Sequence, residues 1–115
     1  MKKTKNETIV LKNGKQEVVL NFEVLRNASM ILRAINHGLR QSIIQLLEEN
    51  EKMTVTEIYV KLRIEQSVAS QHLAILRNVG VVNTTREGKF IFYSVNHERL
   101  DQIAKFAADI LKFER

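Results

Sequence analysis

The spacing of apolar residues changes along the chain, and it begins as a weak alternation over residues 8–20. Asn13-Gly14 interrupts this stretch, and both residues tolerate the positive φ angles of a two-residue hairpin turn. Ile9-Val10-Leu11 and Val18-Val19-Leu20 are therefore predicted to form two short strands. Because an isolated hairpin is only marginally stable, the alternative is a partly ordered basic arm without strands.

From Asn21 onward the apolar residues follow a helical period, which predicts two helices before residue 52. Asn21 can cap the first helix, since its side chain accepts hydrogen bonds from the first free backbone N–H groups. Asn36-His37-Gly38 then breaks the pattern, and a second helix follows. The apolar stripe of the first helix contains Val24, Leu25, Ala28, Ile31, Leu32 and Ile35, and that of the second contains Leu39, Ile43, Leu46 and Leu47.

A third and a fourth helix are predicted with a tight connection between them. Thr54-Val55-Thr56-Glu57 has the order of a capping box, in which a hydroxyl and a carboxylate each bind a free backbone N–H. After Arg63-Ile64-Glu65, residues 66–79 are expected to form the fourth helix, and Gly80 stands where a glycine commonly ends a helix. Its predicted core residues are Val68, Ala69, Leu73, Leu76 and Val79.

Two β-prone runs and a long helix complete the pattern. Val81-Val82 and Phe90-Ile91-Phe92-Tyr93-Ser94-Val95 are predicted strands, joined by the polar stretch 83–89 that contains Gly88. A last helix is expected from about His97. Its apolar face contains Leu100, Ile103, Ala104, Ala107, Ile110 and Leu111.

This order of elements predicts a winged helix-turn-helix fold that is mainly α with one small β-hairpin. We assign it to residues 21–115 and treat residues 1–20 as an N-terminal arm or an extra hairpin. An α-helix fits the major groove of DNA, so the fourth helix is the predicted reading helix. His72 is expected either to touch a phosphate or to support this helix. The predicted DNA-binding residues are Gln66, Ser67, Ser70, Gln71, His72, Arg77, and the wing-tip residues Arg86 and Lys89.

Composition narrows the class of protein further. A formal net charge of +5 permits a nucleic-acid partner, and an apolar fraction of 44% is typical of a globular chain. The absence of cysteine excludes disulfides and thiolate ligands. With no membrane-length apolar run and no secretory signal, a cytoplasmic location is expected. With no glycine-rich phosphate loop and no Ser-His-acid grouping, the chain is not expected to be an enzyme.

From about residue 30 to residue 112 the chain resembles the ArsR/SmtB family of bacterial regulators. The run Ser70-Gln71-His72-Leu73-Ala74-Ile75-Leu76 is similar to the family's Ser-x-His-Leu-x-x-Leu motif, and Gly80-Val81-Val82 is similar to its Gly-Leu-Val turn. Arg86-Glu87-Gly88-Lys89 followed by Phe92-Tyr93 is similar to the family's wing. The resemblance implies a homodimer that represses transcription by occupying a near-palindromic site on double-stranded DNA.

The resemblance also implies that the first and last helices form the dimer interface. The residues favour the same conclusion, because Met30, Phe106 and Phe113 are apolar outside the main stripes of these helices. The alternative is that these side chains complete a monomer core. In a dimer, two reading helices would lie about 34 Å apart, which is one turn of DNA. The predicted interface residues are Leu25, Leu32, Ile103, Phe106, Ala107, Ile110 and Phe113.

Relatives that sense metals use one of two ligand sets, and neither is expected here. Where the family's thiolate site has cysteines, this chain has Tyr59 and Lys61. The positions that match the family's site on the last helix are His97, Arg99, Ile110 and Phe113. Of these only His97 could bind a metal, whereas a zinc site needs three or four ligands. No metal or cofactor is therefore expected.

Three functions stay open at this level. The favoured one is a sequence-specific DNA-binding regulator without the family's metal sites. A metal-responsive repressor would need unconventional ligands, such as His97 with Asp101 or Asp109. A dimeric protein-interaction module that has lost DNA binding is favoured by Glu65 and Glu87, because carboxylates near the expected DNA face repel phosphates.

Overall fold

The computed structural model describes residues 7–112. Two antiparallel hairpins and five helices occupy this range, and their bounds are β1 Thr8–Asn13, β2 Gln16–Asn21, α1 Phe22–Ile35, α2 Gly38–Asn50, α3 Val55–Leu62, α4 Gln66–Asn78, β3 Val82–Glu87, β4 Phe90–Val95 and α5 His97–Ile110. The chain divides into two compact units between Arg33 and Ala34, within α1. No helix of the described range is long and apolar enough to cross a membrane.

The N-terminal unit contains the predicted hairpin rather than an unstructured arm. Its strands pair from Thr8 opposite Asn21 to Asn13 opposite Gln16, so the two loop residues are Gly14 and Lys15. The turn therefore lies one residue later than predicted. Its only positive φ angle, +65°, belongs to Gly14, as in a type II′ turn, whereas Asn13 ends β1. Glycine adopts a positive φ with less steric strain than any other residue, which explains why the turn begins at Gly14 and not at Asn13.

Asn21 connects this hairpin to α1 in the capping role that the sequence predicts. Its side-chain Oδ1 accepts hydrogen bonds from the backbone N–H groups of Glu23 and Val24, at 3.0 and 3.1 Å. Two of the four N–H groups that a helix start leaves without partners are thereby bonded. Arg26 of α1 also pairs with Glu7 at 3.3 Å, within the same unit.

The C-terminal unit has one apolar core, to which α2, α3, α4 and the wing strands contribute. Three fully buried residues of α4 and its C-terminal side are Leu73, Leu76 and Val81. Burying one side chain of this size contributes about 1.5–3 kcal/mol, so α4 is held firmly on its inner face. The buried core residues are Ile43, Leu46, Leu47, Met53, Ile58, Leu73, Leu76, Val81, Val82 and Val95.

The helix-turn-helix is formed by α3, a three-residue connection and α4. The predicted capping box is confirmed: Thr54 Oγ1 accepts from Glu57 N at 3.2 Å, and Glu57 Oε1 accepts from Thr54 N at 2.9 Å. The helix α3 ends at Leu62, and its C-cap residue Arg63 has a left-handed φ of +58°. The next amide, Ile64 N, donates to the carbonyl of Tyr59, which closes the end of α3 before α4 begins.

The wing is longer than its apolar runs predict. Stretch 83–89 is not a loop, because β3 continues to Glu87 and only Gly88 and Lys89 connect the strands. Along β3 the exposed Asn83 and Thr85 alternate with the half-buried Thr84, which is the pattern of a strand with one face in solvent. The polar residues were therefore misread as loop because the exposed face of a hairpin needs no apolar side chains.

The start of α5 is bonded to the end of α4. Asn96 accepts from Arg99 N as the cap of α5, and its side-chain amide donates to the carbonyl of Gly80 at 2.9 Å. Arg99 Nε donates to the carbonyl of Val79 at 3.0 Å. Gly80 has a φ of +83°, as the sequence predicts for a glycine that ends a helix.

Candidate nucleic-acid interface

The outer face of α4 is polar and open to solvent over its first two turns. The predicted reading residues Gln66, Ser67, Ser70 and Gln71 are all exposed. The opposite face is buried through Ala69, Leu73 and Leu76. The 3.6-residue period of the helix separates these two sets, so core packing itself turns the amide and hydroxyl groups outward. Such groups can bond to base edges or phosphates.

Glu65 stands directly before this polar face, as the N-terminal cap residue of α4. Its side chain is exposed and makes no capping hydrogen bond. A carboxylate at this end of a helix interacts favourably with the helix dipole, but it would also repel a phosphate. Glu65 therefore makes the start of α4 less favourable for an anionic group than the rest of its polar face.

His72 lies on the flank of α4 and is held from α2. Its Nδ1 accepts a hydrogen bond of 3.0 Å from Arg40 Nε, and its ring lies 4.9 Å from the ring of His37, centroid to centroid. Burial, the Arg40 guanidinium and His37 all lower the pKa of His72 below the ordinary value of 6.5. These surroundings therefore favour the neutral form of His72. Arg40 Nη1 also donates to the carbonyl of Ala34 at 2.8 Å.

The wing tip carries exposed basic side chains at Arg86 and Lys89. Glu87 lies between them, but it forms an ion pair with Lys52, whose ammonium group also lies 4.8 Å from the centre of the Phe92 ring. An exposed pair of this kind adds little stability. It does leave Arg86 and Lys89 as the charges of the tip without a carboxylate partner among the described residues.

Arg77 is the remaining basic residue of the predicted DNA-binding set, and it is exposed in the last turn of α4. It is separated along the helix from the reading residues by the buried Leu73 and Leu76. A basic residue near a helix C-terminus interacts favourably with the helix dipole, which is a structural reason for an arginine here beside the predicted DNA contact.

The residues predicted to form the dimer interface are only partly covered. On α5, which has no fully buried residue, Ile110 is 60% and Phe106 is 44% exposed, whereas Ile103 and Ala107 are half-buried. On α1, Leu25 is exposed and Leu32 is half-buried. Phe113 lies outside the described residues. The α5 side chains form an apolar stripe at helical spacing on the surface of the C-terminal unit.

The candidate metal ligands are engaged in other contacts. His97 Nε2 lies 2.6 Å from Glu48 Oε1, and Arg99 donates to Val79 and to Gln102. Asp101 and Asp109 pair with Lys105 and Lys112 on their own helical stretch. Within residues 7–112 no group of three His, Asp or Glu side chains is arranged to hold a metal ion.

Two residues that contact the site were not singled out from the sequence. Arg40 and Lys52 lie 32 and 35 residues from their partners His72 and Glu87. Both pairs depend on how α2 and the wing pack, and no local motif encodes that. The one available signal was that Arg40 interrupts the apolar side of α2 between Leu39 and Ile43.

A helix-turn-helix with a polar outer face, followed by a wing with a basic tip, defines a winged helix-turn-helix DNA-binding protein. Comparison with known proteins agrees. Residues 37–84 match the model of the bacterial regulatory proteins of the arsR family. The chain is 33% identical over 89 residues to an uncharacterized HTH-type transcriptional regulator of Methanocaldococcus jannaschii, over 77% of this chain and 100% of that protein.

A solved structure and a second relative extend this result. The crystal structure of the transcriptional repressor PagR of Bacillus anthracis is 30% identical and superposes with a TM-score of 0.60, over 75% of this chain and 98% of PagR. The transcriptional activator HlyU of Vibrio cholerae is 39% identical over 69 residues, 60% of this chain and 63% of HlyU. This chain belongs to the ArsR family of bacterial transcriptional regulators, and it is not an enzyme.

Proposed function

We propose that the chain is a homodimeric repressor that binds a near-palindromic DNA operator through α4 and the wing. The observation that supports this most directly is the division of α4 into two faces. Gln66, Ser67, Ser70 and Gln71 are exposed together on a helix whose other face is buried. Such a helix can enter the major groove without disturbing the core, because these four side chains make no hydrogen bond to other groups within residues 7–112.

The reading residues and the wing would have different tasks. A glutamine such as Gln71 can bond to adenine with both groups of its amide, whereas the serines can bond to a base edge or to a phosphate. Arg86 and Lys89 would contact phosphates or the minor groove, which strengthens binding to every sequence. The pairing of Glu87 with Lys52 supports this assignment, because it offsets one of the two carboxylates that favour a protein-interaction module instead.

Our proposed dimer interface is centred on the α5 stripe of Ile103, Phe106, Ala107 and Ile110. Leu25 and Leu32 of α1 are included on the family resemblance alone, and Phe113 on that resemblance and the sequence pattern of the last helix. Large exposed apolar side chains at helical spacing are typical of a surface that a partner helix covers. A two-fold axis at such an interface would present two copies of α4 about 34 Å apart, matching two half-sites one DNA turn apart.

Repression and the absence of a metal sensor are part of the proposal. Relatives are named as a repressor and as an activator, so the direction of regulation is our inference from the operator-occupying mode. The engagement of His97, Asp101 and Asp109 with other side chains argues against the metal-responsive alternative. We place the protein in the cytoplasm, where its DNA target would be.

Selection from random-sequence DNA tests this function. The purified full chain is incubated with a random library, and the retained DNA is sequenced. We expect an enriched inverted repeat with half-sites about one helical turn apart. Absence of both enrichment and salt-dependent retention would instead favour the protein-interaction module. A parallel titration with zinc, read out as DNA affinity, distinguishes the metal-responsive repressor, because only such a repressor would change its affinity for DNA when zinc is added.

Two variants assign the roles of the wing and the reading helix. Arg86→Ala is expected to weaken binding to all sequences and to lower the slope of log K against log[salt] by about 0.9. Gln71→Ala is expected to relax preference at one or two base pairs with the slope unchanged. Lys105→Ala, an exposed lysine of α5 that pairs with Asp101, is the control for removal of a surface charge.

A further inference from the structure

We propose that Arg40, on α2, is a positioning residue for DNA binding: it holds His72 and thereby sets the position of α4, without itself contacting DNA. This inference rests on the proposed function, because it assigns α4 the reading role. It also decides between the two roles that the sequence leaves open for His72, in favour of support for the helix.

The bond between these residues fixes the protonation of His72. Arginine carries only hydrogen-bond donors, so Nδ1 of His72 must hold a lone pair to accept from Arg40 Nε at 3.0 Å. The single proton of the neutral ring is then on Nε2. His37, whose ring is tilted 45° against that of His72, restricts the ring from a second side.

Arg40 also bonds to a second element. Its Nη1 donates at 2.8 Å to the carbonyl of Ala34, a buried residue in the last turn of α1. One guanidinium therefore bridges the backbone at the start of the C-terminal unit to a side chain of α4. Only the planar fork of arginine presents two N–H groups in this fixed arrangement, and a lysine cannot make both bonds with the same geometry.

The location of His72 explains why this contact matters for reading. His72 follows Gln71 directly and lies one turn from Val68 and two residues from Ser70 on the same helix. Bonding on this flank prevents α4 from rotating about its axis or sliding on the core. A displacement of either kind would move every exposed reading residue relative to the groove at once.

The competing role for an arginine here is direct contact with a phosphate, and Arg40→Lys separates the two. If Arg40 positions α4, Arg40→Lys weakens binding to the selected operator about tenfold, because it loses the forked bond while it keeps the charge. The slope of log K against log[salt] then stays unchanged. If Arg40 contacts phosphate, Arg40→Lys binds like the wild type, and Arg40→Gln lowers the slope by about 0.9. That result overturns the proposal.

Arg33→Lys is the matched control, because Arg33 is an exposed arginine of α1 outside the proposed interface. It is expected to leave the affinity and the slope at wild-type values. Substitution of His72 tests the Arg40–His72 hydrogen bond itself. His72→Asn keeps an acceptor near the position of Nδ1 and is expected to weaken binding less than His72→Leu, which has none. Equal losses in these two variants would contradict the role of the Arg40 bond.

Nuclear magnetic resonance of the DNA-free full chain provides a readout that does not depend on binding. Two-bond correlations between ring nitrogens and protons are expected to show His72 neutral at pH 7.5, with the proton on Nε2. A proton on Nδ1 overturns the proposal. If the wild type binds no DNA, both this inference and the proposed function fail. If the wild type binds DNA and Arg40→Lys binds it equally well, the proposed function stands and only the inference about Arg40 is wrong.

Discussion

Removal of the Thr54 hydroxyl, at the start of the helix-turn-helix, should measurably lower the free energy of unfolding. Thr54 Oγ1 accepts from Glu57 N at 3.2 Å, so Thr54→Ala leaves that backbone N–H to water. The reciprocal bond, from Thr54 N to Glu57 Oε1 at 2.9 Å, uses only the backbone of residue 54 and can survive the change. Since one bond of the two is lost, we expect a loss of about 1 kcal/mol in the free energy of unfolding.

Urea unfolding followed by circular dichroism measures this change. With a denaturant slope of about 2 kcal/mol per molar, the midpoint is expected to fall by about 0.5 M. The protein concentration must be the same for all variants, because the stability of the proposed dimer would depend on it. Thermal unfolding should show a corresponding decrease of about 5 °C.

Thr56→Ala is the matched control for this prediction. Thr56 is exposed in the first turn of α3 and makes no side-chain hydrogen bond among the described residues, so the same chemical change there removes no cap. Since alanine favours the helix more than threonine, the control should be unchanged or slightly more stable. Equal midpoints for the two variants would refute the reasoning that the capping box stabilises α3.

Three further changes test other parts of the structure. Gly80→Ala should lower the free energy of unfolding in urea by about 1–2 kcal/mol, because the φ of Gly80 is +83°. Gly38→Ala is the control and should not lower it, because Gly38 has no positive φ and has open space around it. Equal effects of the two substitutions would contradict this reasoning. The pKa of His72 is lowered on folding, so the unfolded chain binds more protons, and the free energy of unfolding should fall as the pH decreases below about 6.5. His72→Asn should flatten this pH dependence. An unaltered profile in that variant would contradict the assignment to His72. If the proposed dimer forms through α5, Ile110→Asp should yield monomers in sedimentation equilibrium, whereas the wild type and Ala108→Asp, on the other side of α5, should be dimers. A dimeric Ile110→Asp would exclude this face as the interface.

The helical elements could be predicted well from the sequence, because their apolar periods and end signals are local. The capping box at Thr54 and the cap at Asn21 depend on residues two or three positions apart, and both are confirmed. The hairpins were predicted less well. The turn of the first shifted to Gly14, and β3 extends through Thr84 and Thr85, because strand pairing depends on register across the hairpin and not on apolar content.

The candidate site likewise has features that could be predicted from the sequence and features that could not. Exposure of Ser67 and Gln71 follows from helical periodicity, so the polar outer face of α4 was predictable. The Arg40–His72 bond was not, because it exists only once α2 and α4 are packed against each other. The Lys52–Glu87 ion pair was not predictable either, and it offsets a carboxylate that, in the sequence, favours the protein-interaction alternative.

The wing has a third, very short strand partner, and this has a consequence for its motions. Met53 and Tyr93 exchange two backbone hydrogen bonds, of 3.0 and 2.7 Å, between β4 and the residue just before the α3 cap. Met53 is buried, so the base of the wing can open only if the core around α3 also opens. Amide hydrogen exchange should thus be slow at Met53 and Tyr93 and fast at Gly88 and Lys89. The tip can then change its conformation without opening the core, while the base of the wing moves with the core as one cooperative unit.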